Sequence, residues 1–123
     1  MHTFPDPIVQ AAADFYVLAI GAGEPEKAVA AYVGERYTQH NLHVADGKDG
    51  FVNNFEGFLE RVPHRDIQVI RGFRDGDFVF IHVLQDLGPA GLWVTMDFFG
   101  IENRKIVEHW DNIEKADNSE IAA

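Results

Sequence analysis

The chain reads DIQVIRGF over residues 66–73, FVFIHVLQD over 78–86, LWVTMDFFGIE over 92–102 and KIVEHWDNI over 105–113. Apolar residues recur at every second position in these segments, which is the period of a β-strand. Short polar turns separate them, and Asp75-Gly76 in the first turn is a strong hairpin signal. The stretch therefore predicts an antiparallel meander of four strands: Asp66–Phe73, Phe78–Asp86, Leu92–Glu102 and Lys105–Ile113.

The residues before this meander follow the period of a helix instead. Three segments carry apolar side chains three and four positions apart: Pro7–Ile20, Glu24–Val33 and Asp49–Val62. Asp6-Pro7 is typical of a helix start, and Pro63 is typical of a helix end. Helices followed by antiparallel strands indicate the α+β class. We expect one domain over residues 1–114 and a polar tail over residues 115–123.

Composition narrows the class of function. With 123 residues the chain has the size of a single domain. Its formal net charge of −10 argues against a nucleic-acid partner, because phosphate binding needs concentrated positive charge. The lack of cysteine excludes disulfides and thiolate chemistry. We recognise neither a membrane-spanning segment nor a signal peptide, so we expect a cytoplasmic protein with no membrane partner.

Both faces of the predicted strands are apolar. Along the second strand one face carries Phe78, Phe80, His82 and Leu84, and the other carries Val79, Ile81 and Val83. A sheet with one solvated face would alternate more cleanly between apolar and polar residues. The second face is therefore expected to pack on another surface. A second copy of the chain is the simplest candidate, so we expect a homodimer that forms through the sheet.

Two ionisable residues lie in register with core side chains of the predicted strands. Asp97 has apolar neighbours in the run VTMDFF, and His82 alternates with Phe80 and Leu84. Burying such groups costs free energy unless they are paired or used in chemistry. A buried histidine is often only a hydrogen-bonded structural residue, whereas a mid-strand aspartate has poor β propensity. We therefore favour Asp97 as the main site residue and keep both interpretations open for His82.

Two polar runs supply further candidates. YTQHN over residues 37–41 contains His40 and Asn41, and EHWD over residues 108–111 ends in Asp111. Successive strand residues face opposite ways, so the four residues of EHWD cannot all line one cavity unless a bulge intervenes. His40-x-x-His43 lies in a predicted loop with no fixed third ligand. We therefore expect no metal site.

Four segments taken together resemble the SnoaL-like proteins of the NTF2-like superfamily. They are Glu35–Asn41, Gly76–His82, Met96–Phe99 and Asn103–Asp111, and the likeness extends over roughly residues 7–114. The family pattern usually has a glycine in the last turn, where this chain has Arg104. The resemblance implies a cone in which three helices close over a strongly curved, mostly antiparallel sheet and leave a pocket. It also implies dimers that pack sheet against sheet.

The resemblance further implies acid–base chemistry without metal or organic cofactor, such as aldol cyclisation, isomerisation, hydration or dehydration. In that scheme Asp97 takes a proton next to a carbonyl group, and His40 or His82 donates to the oxyanion. Asp111 is the second candidate for the base. Residues expected to bind the small apolar or aromatic substrate are Tyr37, Asn41, Phe55, Phe80, Trp93, Phe99 and Trp110.

The same fold also carries other functions. A non-catalytic module that holds an apolar ligand in the cone is the main alternative, and binding without turnover would distinguish it. Metal-dependent chemistry with His40, His82 and Asp97 as ligands is a third hypothesis, and it requires stoichiometric metal in the purified protein. The substrate and the direction of the reaction stay open.

Overall fold

A computed structural model describes residues 3–40 and 46–116. Its regular elements are α1 (Pro7–Tyr16), α2 (Pro25–Tyr32), β1 (Val33–Gln39), α3 (Gly47–Arg61), β2 (Asp66–Asp75), β3 (Phe78–Asp86), β4 (Leu92–Glu102) and β5 (Lys105–Lys115). Three helices thus pack on a curved sheet, which confirms the α+β class predicted from the sequence. Among the described residues, none of the helices is both long enough and apolar enough to cross a bilayer.

The first helix begins where the sequence predicts. The Asp6 side chain accepts a hydrogen bond of 2.8 Å from the backbone N–H of Ile8, and Pro7 occupies the first helical position. The α-helix ends at Tyr16, and a π-helical turn over Val17–Gly21 continues the chain. The predicted segment Pro7–Ile20 is therefore helical throughout, with a change of pitch after Tyr16.

The end of the second helix differs from the prediction. Val33 was expected in the helix, but it is the first residue of β1, a strand that the period did not reveal. β1 lies parallel to β5, and Gln39 pairs with His109 in this register. Pairing with a distant strand therefore decides the conformation of Val33–Gln39, and local period cannot report such pairing.

The sheet has the strand order β1-β5-β4-β3-β2 and is open rather than closed. The last four strands form the predicted antiparallel meander. β5 extends two residues beyond its predicted end, to Lys115. At the turn between β4 and β5, Asn103 and Arg104 both adopt positive φ, at 51° and 65°. This left-handed conformation explains why a glycine suits the position of Arg104.

A β-bulge shifts the pairing of β4 with β5. Ile101 pairs with Ile106, whereas Gly100 pairs with Glu108, so the register skips Val107. Beyond the bulge Phe99 lies opposite His109, and Asp97 lies opposite Asp111. Side chains that face each other across a ladder lie on the same side of the sheet. The bulge therefore brings His109 and Asp111 to the face that carries Asp97.

The two faces of the sheet have different surroundings. The inner face packs against the helices and contributes fully buried side chains such as Val79, Ile81 and Phe99. The outer face is apolar but partly exposed: Phe73 is 58% exposed, Phe78 46% and Met96 39%. Both faces of the sheet are thus apolar, as the sequence predicts, and the helices of the same chain cover the inner face only.

Candidate functional site

Asp97 is the most deeply buried charged residue on the inner face of the sheet. Its side chain is 0% exposed, and both carboxylate oxygens take part in hydrogen bonds. Oδ2 accepts a bond of 2.6 Å from the hydroxyl of Thr95, and Oδ1 lies 2.7 Å from Nε2 of His109. Burial of a carboxylate is tolerated when such partners compensate for the lost hydration.

His109 connects Asp97 to the neighbouring strand β1. Its Nδ1 lies 2.9 Å from Oε1 of Gln39, and its Nε2 lies 2.7 Å from Asp97. A carboxylate oxygen and an amide oxygen can only accept hydrogen bonds. The ring thus has an acceptor at each nitrogen, an arrangement that favours a proton on both, and Nε2 lies within ion-pair distance of the buried carboxylate of Asp97.

Asp111 completes a cluster of three ionisable groups. One ligating atom each from Asp97, His109 and Asp111 lies within 4.8 Å of the others. This set of atoms has the chemistry of a metal site. However, Nε2 of His109 and Oδ1 of Asp97 are hydrogen-bonded to each other, which requires a proton between them. As the residues stand, the cluster is a hydrogen-bonded Asp97–His109 pair beside a second carboxyl group.

Two buried tyrosines, Tyr16 at the end of α1 and Tyr37 on β1, lie near these carboxylates. Burial raises the pKa of Tyr16 and that of Tyr37 well above the ordinary value of about 10, and the negative charge of Asp97 raises both further. Both hydroxyls are therefore neutral donors at physiological pH. The Tyr37 hydroxyl is buried and makes no hydrogen bond within 3.5 Å among the described residues, although the Gln39 side chain lies close enough to oppose the rise in its pKa.

A narrow cavity lies against the cluster. Its volume is about 20 Å³, which is room for about one water molecule. Aromatic and aliphatic side chains form most of its wall, and the polar contribution comes from the ionisable cluster. Its lining consists of Phe15, Tyr16, Ala19, Ile20, Tyr37, Phe51, Phe55, Asp97, Phe99, His109 and Asp111. The side chains of Tyr37, Phe55 and Phe99, expected to bind the substrate, are thus together here.

His82 lies on the other face of the sheet. On β3 it pairs with Met96, whereas Ile81 pairs with Asp97. Facing pairs share a side, so His82 points to the outer face with Met96. The expectation that His82 acts on the same pocket as Asp97 is therefore wrong in its geometry. Phe80 shares this outer face, where it contacts Phe98 and Phe73, so it is not part of the cavity wall.

His40 and Trp110 also lie away from Asp97. The two rings stack with centroids 4.5 Å apart, and Nε2 of His40 forms a bond of 2.7 Å with Glu108. Glu108 and Trp110 alternate with His109 along β5 and so point to the outer face. These contacts place both His40 and Trp110 away from the pocket, so the prediction that they line it is wrong.

The remaining two predicted binding residues have separate outcomes. Trp93 is partly buried, and its indole N–H donates to the carbonyl of Ala90 at 3.0 Å, away from the cavity lining. Asn41 lies outside the described residues.

Sequence reasoning left His109 undecided and did not consider Gln39 as a site residue. His109 and Asp111 are two positions apart in a strand, which already indicates that they share a face. The register between β4 and β5, which decides which face of β5 lies beside Asp97, could not be predicted from the sequence.

Comparisons with known proteins agree with this fold. The family model described as SnoaL-like polyketide cyclase matches residues 10–119. A search of curated proteins finds no match. Among solved structures, TsrD from Streptomyces laurentii superposes with a TM-score of 0.75 at 19% identity, covering 91% of this chain and 92% of that protein.

Two further solved structures have the same architecture. A proposed polyketide cyclase from Bacillus cereus ATCC 10987 has a TM-score of 0.76 at 20% identity, covering 87% of this chain and 74% of that one. An NTF2-like protein of unknown function from Cytophaga hutchinsonii ATCC 33406 has a TM-score of 0.68 at 14% identity, with 93% and 95% covered. These likenesses confirm the NTF2-like fold.

Proposed function

Because the chain belongs to the SnoaL-like polyketide cyclase family, we propose that it is an acid–base enzyme that removes a proton next to a carbonyl group of a small apolar or aromatic molecule. Aldol cyclisation, isomerisation and dehydration can begin with this step, hydration passes through the same enolate in the opposite direction, and the proposed step itself uses no metal or organic cofactor. The observation that carries the proposal is the meeting of Asp97, His109 and Asp111 within 4.8 Å at one aromatic cavity.

We assign the base to Asp111 rather than to Asp97. Asp97 is 0% exposed, and both of its oxygens are engaged by Thr95 and His109. The oxygens of Asp97 are therefore occupied by partners within the protein itself. Asp111 lines the same cavity and is partly exposed, so a bound molecule can reach it. The order of preference drawn from the sequence is therefore reversed.

The proposed step moves one proton and one electron pair. An oxygen of Asp111 takes the proton from the carbon next to the carbonyl group. The electron pair of the broken C–H bond forms the C=C bond of an enolate, and negative charge collects on the carbonyl oxygen. The hydroxyl of Tyr37, which is buried at the wall of the same cavity, is the proposed hydrogen-bond donor to that oxygen.

The Asp97–His109 pair supports this step without touching the substrate carbon. His109 bonds to Asp97 and Gln39 and lies beside Asp111, so it holds the polar part of the cavity wall in place. His109 also stacks on Tyr37, with ring centroids 6.3 Å apart and planes 15° apart. Its fixed position therefore helps to fix the Tyr37 ring.

Substrate binding requires the cavity to widen. A volume of about 20 Å³ is far below the several hundred Å³ of ordinary ligand sites. Phe51 and Phe55 of α3 form one wall, and Phe51 is the only fully buried residue among those described in this helix. A helix that buries so little is the wall that can move at the lowest cost. We therefore propose that α3 shifts outward when a substrate enters.

We also propose that two copies of the chain pack through the outer face of the sheet. Phe73, Phe78 and Met96 are exposed there, and Phe80 and Phe98 extend the same apolar area. Contiguous exposed apolar area of this kind is typical of an interface. In such a dimer the inner cavities of the two copies would not join.

A panel of small aromatic ketones incubated with the protein in D₂O tests the function. The proposal predicts that at least one member exchanges its α-hydrogens for deuterium, which mass spectrometry detects, faster than with the protein omitted. Asp75→Asn is the matched control, because Asp75 is an exposed aspartate of the same sheet and should leave the exchange rate unchanged. Ligands that raise the melting temperature without any exchange would favour the binding module instead.

A further inference from the structure

A chain of buried polar side chains leads from β3 to Asp97. Nε2 of Gln85 donates to the Tyr16 hydroxyl at 2.7 Å, and this hydroxyl lies 3.4 Å from the hydroxyl of Thr95. The Thr95 hydroxyl then donates to Oδ2 of Asp97 at 2.6 Å. Gln85, Tyr16 and Thr95 are all buried. None of them faces solvent, so the chain is part of the interior behind the cavity.

The two ends of the chain fix the direction of every hydrogen in it. The amide nitrogen of Gln85 can only donate, so the Tyr16 oxygen accepts at that end. The carboxylate of Asp97 can only accept, so the hydrogen of Thr95 points to it. The hydroxyl hydrogen of Thr95 is already donated to Asp97. The hydrogen between the two hydroxyls is therefore that of Tyr16, which donates to the Thr95 oxygen. Each donor in the chain therefore points toward Asp97.

We propose that Thr95 and Tyr16 are positioning residues that keep Asp97 ionised and hold its carboxylate toward His109. The inference rests on the proposed function, because it gives Asp97 the task of holding His109 beside the base. Hydrogen bonds in a row polarise one another and strengthen the last one, which is here the bond to the charged carboxylate. Burial also keeps the Tyr16 hydroxyl protonated, because it raises the pKa of Tyr16 well above 10.

The proposal differs from a purely structural role in what it predicts for Asp97. Thr95→Val keeps the shape of the side chain and removes the hydroxyl, so Oδ2 loses its donor. The ionised form of Asp97 then loses a stronger bond than the protonated form does, because a hydrogen bond to a charged oxygen is stronger than one to a neutral oxygen. Thr95→Ser restores a hydroxyl at the same position. Tyr16→Phe leaves the Thr95 bond in place and removes only the donor behind it, so its effect should be smaller.

The test follows the carboxyl carbon of Asp97 by NMR in protein labelled with [¹³C]aspartate. The signal is assigned by its loss in Asp97→Asn. At an acidic pH where wild-type Asp97 is mostly ionised, Thr95→Val should raise its protonated fraction about tenfold, which is the effect of a hydrogen bond of roughly 1.4 kcal/mol to a charged group. Thr95→Ser should match the wild type, and Tyr16→Phe should lie between them.

The measurement needs no substrate, so it separates this inference from the proposed function. A tenfold rise in Thr95→Val, with Thr95→Ser at the wild-type value, supports the positioning role even if no ketone is turned over. Equal protonated fractions in wild type, Thr95→Val and Tyr16→Phe would overturn the positioning role, whatever the deuterium exchange shows. Circular dichroism of each variant checks that the comparison is made on folded protein.

Discussion

Asp97 on β4 and His109 on β5 are joined by a bond of 2.7 Å between Oδ1 and Nε2, although an uninterrupted hairpin would place them on opposite faces. The two-residue turn pairs Glu102 with Lys105, and a regular ladder from there would set Asp97 opposite Trp110. The bulge at Val107 moves the register by one residue, and a shift of one residue exchanges the faces of a strand. The site therefore depends on that bulge.

The first prediction concerns the protonation of His109. Because both of its partners are acceptors, both ring nitrogens should carry protons at neutral pH. Nitrogen-15 NMR of histidine-labelled protein measures this directly, and His109→Gln assigns the signal. Two protonated nitrogens are expected in the wild type. One unprotonated nitrogen would show that His109 is neutral and that the two residues are not an ion pair.

The second prediction is a loss of stability in alkali. Burial raises the folded-state pKa of Tyr16 and of Tyr37 above the unfolded value of about 10. Above that pH the unfolded chain releases these protons while the folded chain retains them, so the free energy of unfolding falls as pH rises. Between about pH 9 and 11, wild type should lose roughly 1 kcal/mol more than Tyr16→Phe in urea denaturation.

The matched control for this measurement is Tyr32→Phe, because Tyr32 is only partly buried. This variant separates the effect of the buried Tyr16 hydroxyl from the loss of any one tyrosine hydroxyl. If Tyr16→Phe also follows the wild-type curve, the Tyr16 hydroxyl titrates alike in both states, and its assignment as a buried donor is wrong.

A third prediction follows from the turn between β4 and β5. Arg104 adopts a φ of 65°, which costs a residue with a side chain about 1–2 kcal/mol and costs glycine almost nothing. Arg104→Gly should therefore raise the free energy of unfolding by about 1 kcal/mol, measured by urea denaturation. Asn103→Gly should gain less, because asparagine tolerates this conformation. A destabilised Arg104→Gly would contradict the left-handed assignment.

The fourth prediction tests the proposed dimer. Met96→Glu places a charge in the middle of the outer face, where the residue is 39% exposed, and should convert a dimer into a monomer in analytical ultracentrifugation. Ile113→Glu is the control, because Ile113 is 56% exposed but pairs with Thr95 on the inner side. Wild-type protein that sediments as a monomer, or an unchanged dimer in Met96→Glu, would rule out this interface.

The sequence predicts the elements of this fold better than it predicts the site. Period alone locates the three helices and the four strands of the meander, and it identifies Asp97 as a buried carboxylate. It does not reveal β1, because that strand exists through pairing with β5. It also cannot choose the inner face of β3, since Phe80 and Ile81 are equally apolar. His82 was therefore assigned to the wrong side, and His109 was not chosen.

The hydrogen-bonded network around Asp97 draws on three further elements that only tertiary structure brings together. His109 reaches it through the bulge in β5, and Gln39 reaches His109 from β1. Tyr16 reaches Thr95 from the end of α1. Each contact joins residues far apart in the chain or depends on a shift in strand register, so no local pattern contains it.

The rate of α-hydrogen exchange in D₂O, compared between wild type and Asp111→Asn on the same ketone, tests the proposed chemistry most directly. Removing a general base typically lowers a rate by about 10² to 10⁴. We expect a loss in that range for Asp111→Asn and no loss for the exposed control Asp75→Asn. Exchange by Asp111→Asn at the wild-type rate would contradict the assignment of Asp111 as the residue that takes the proton.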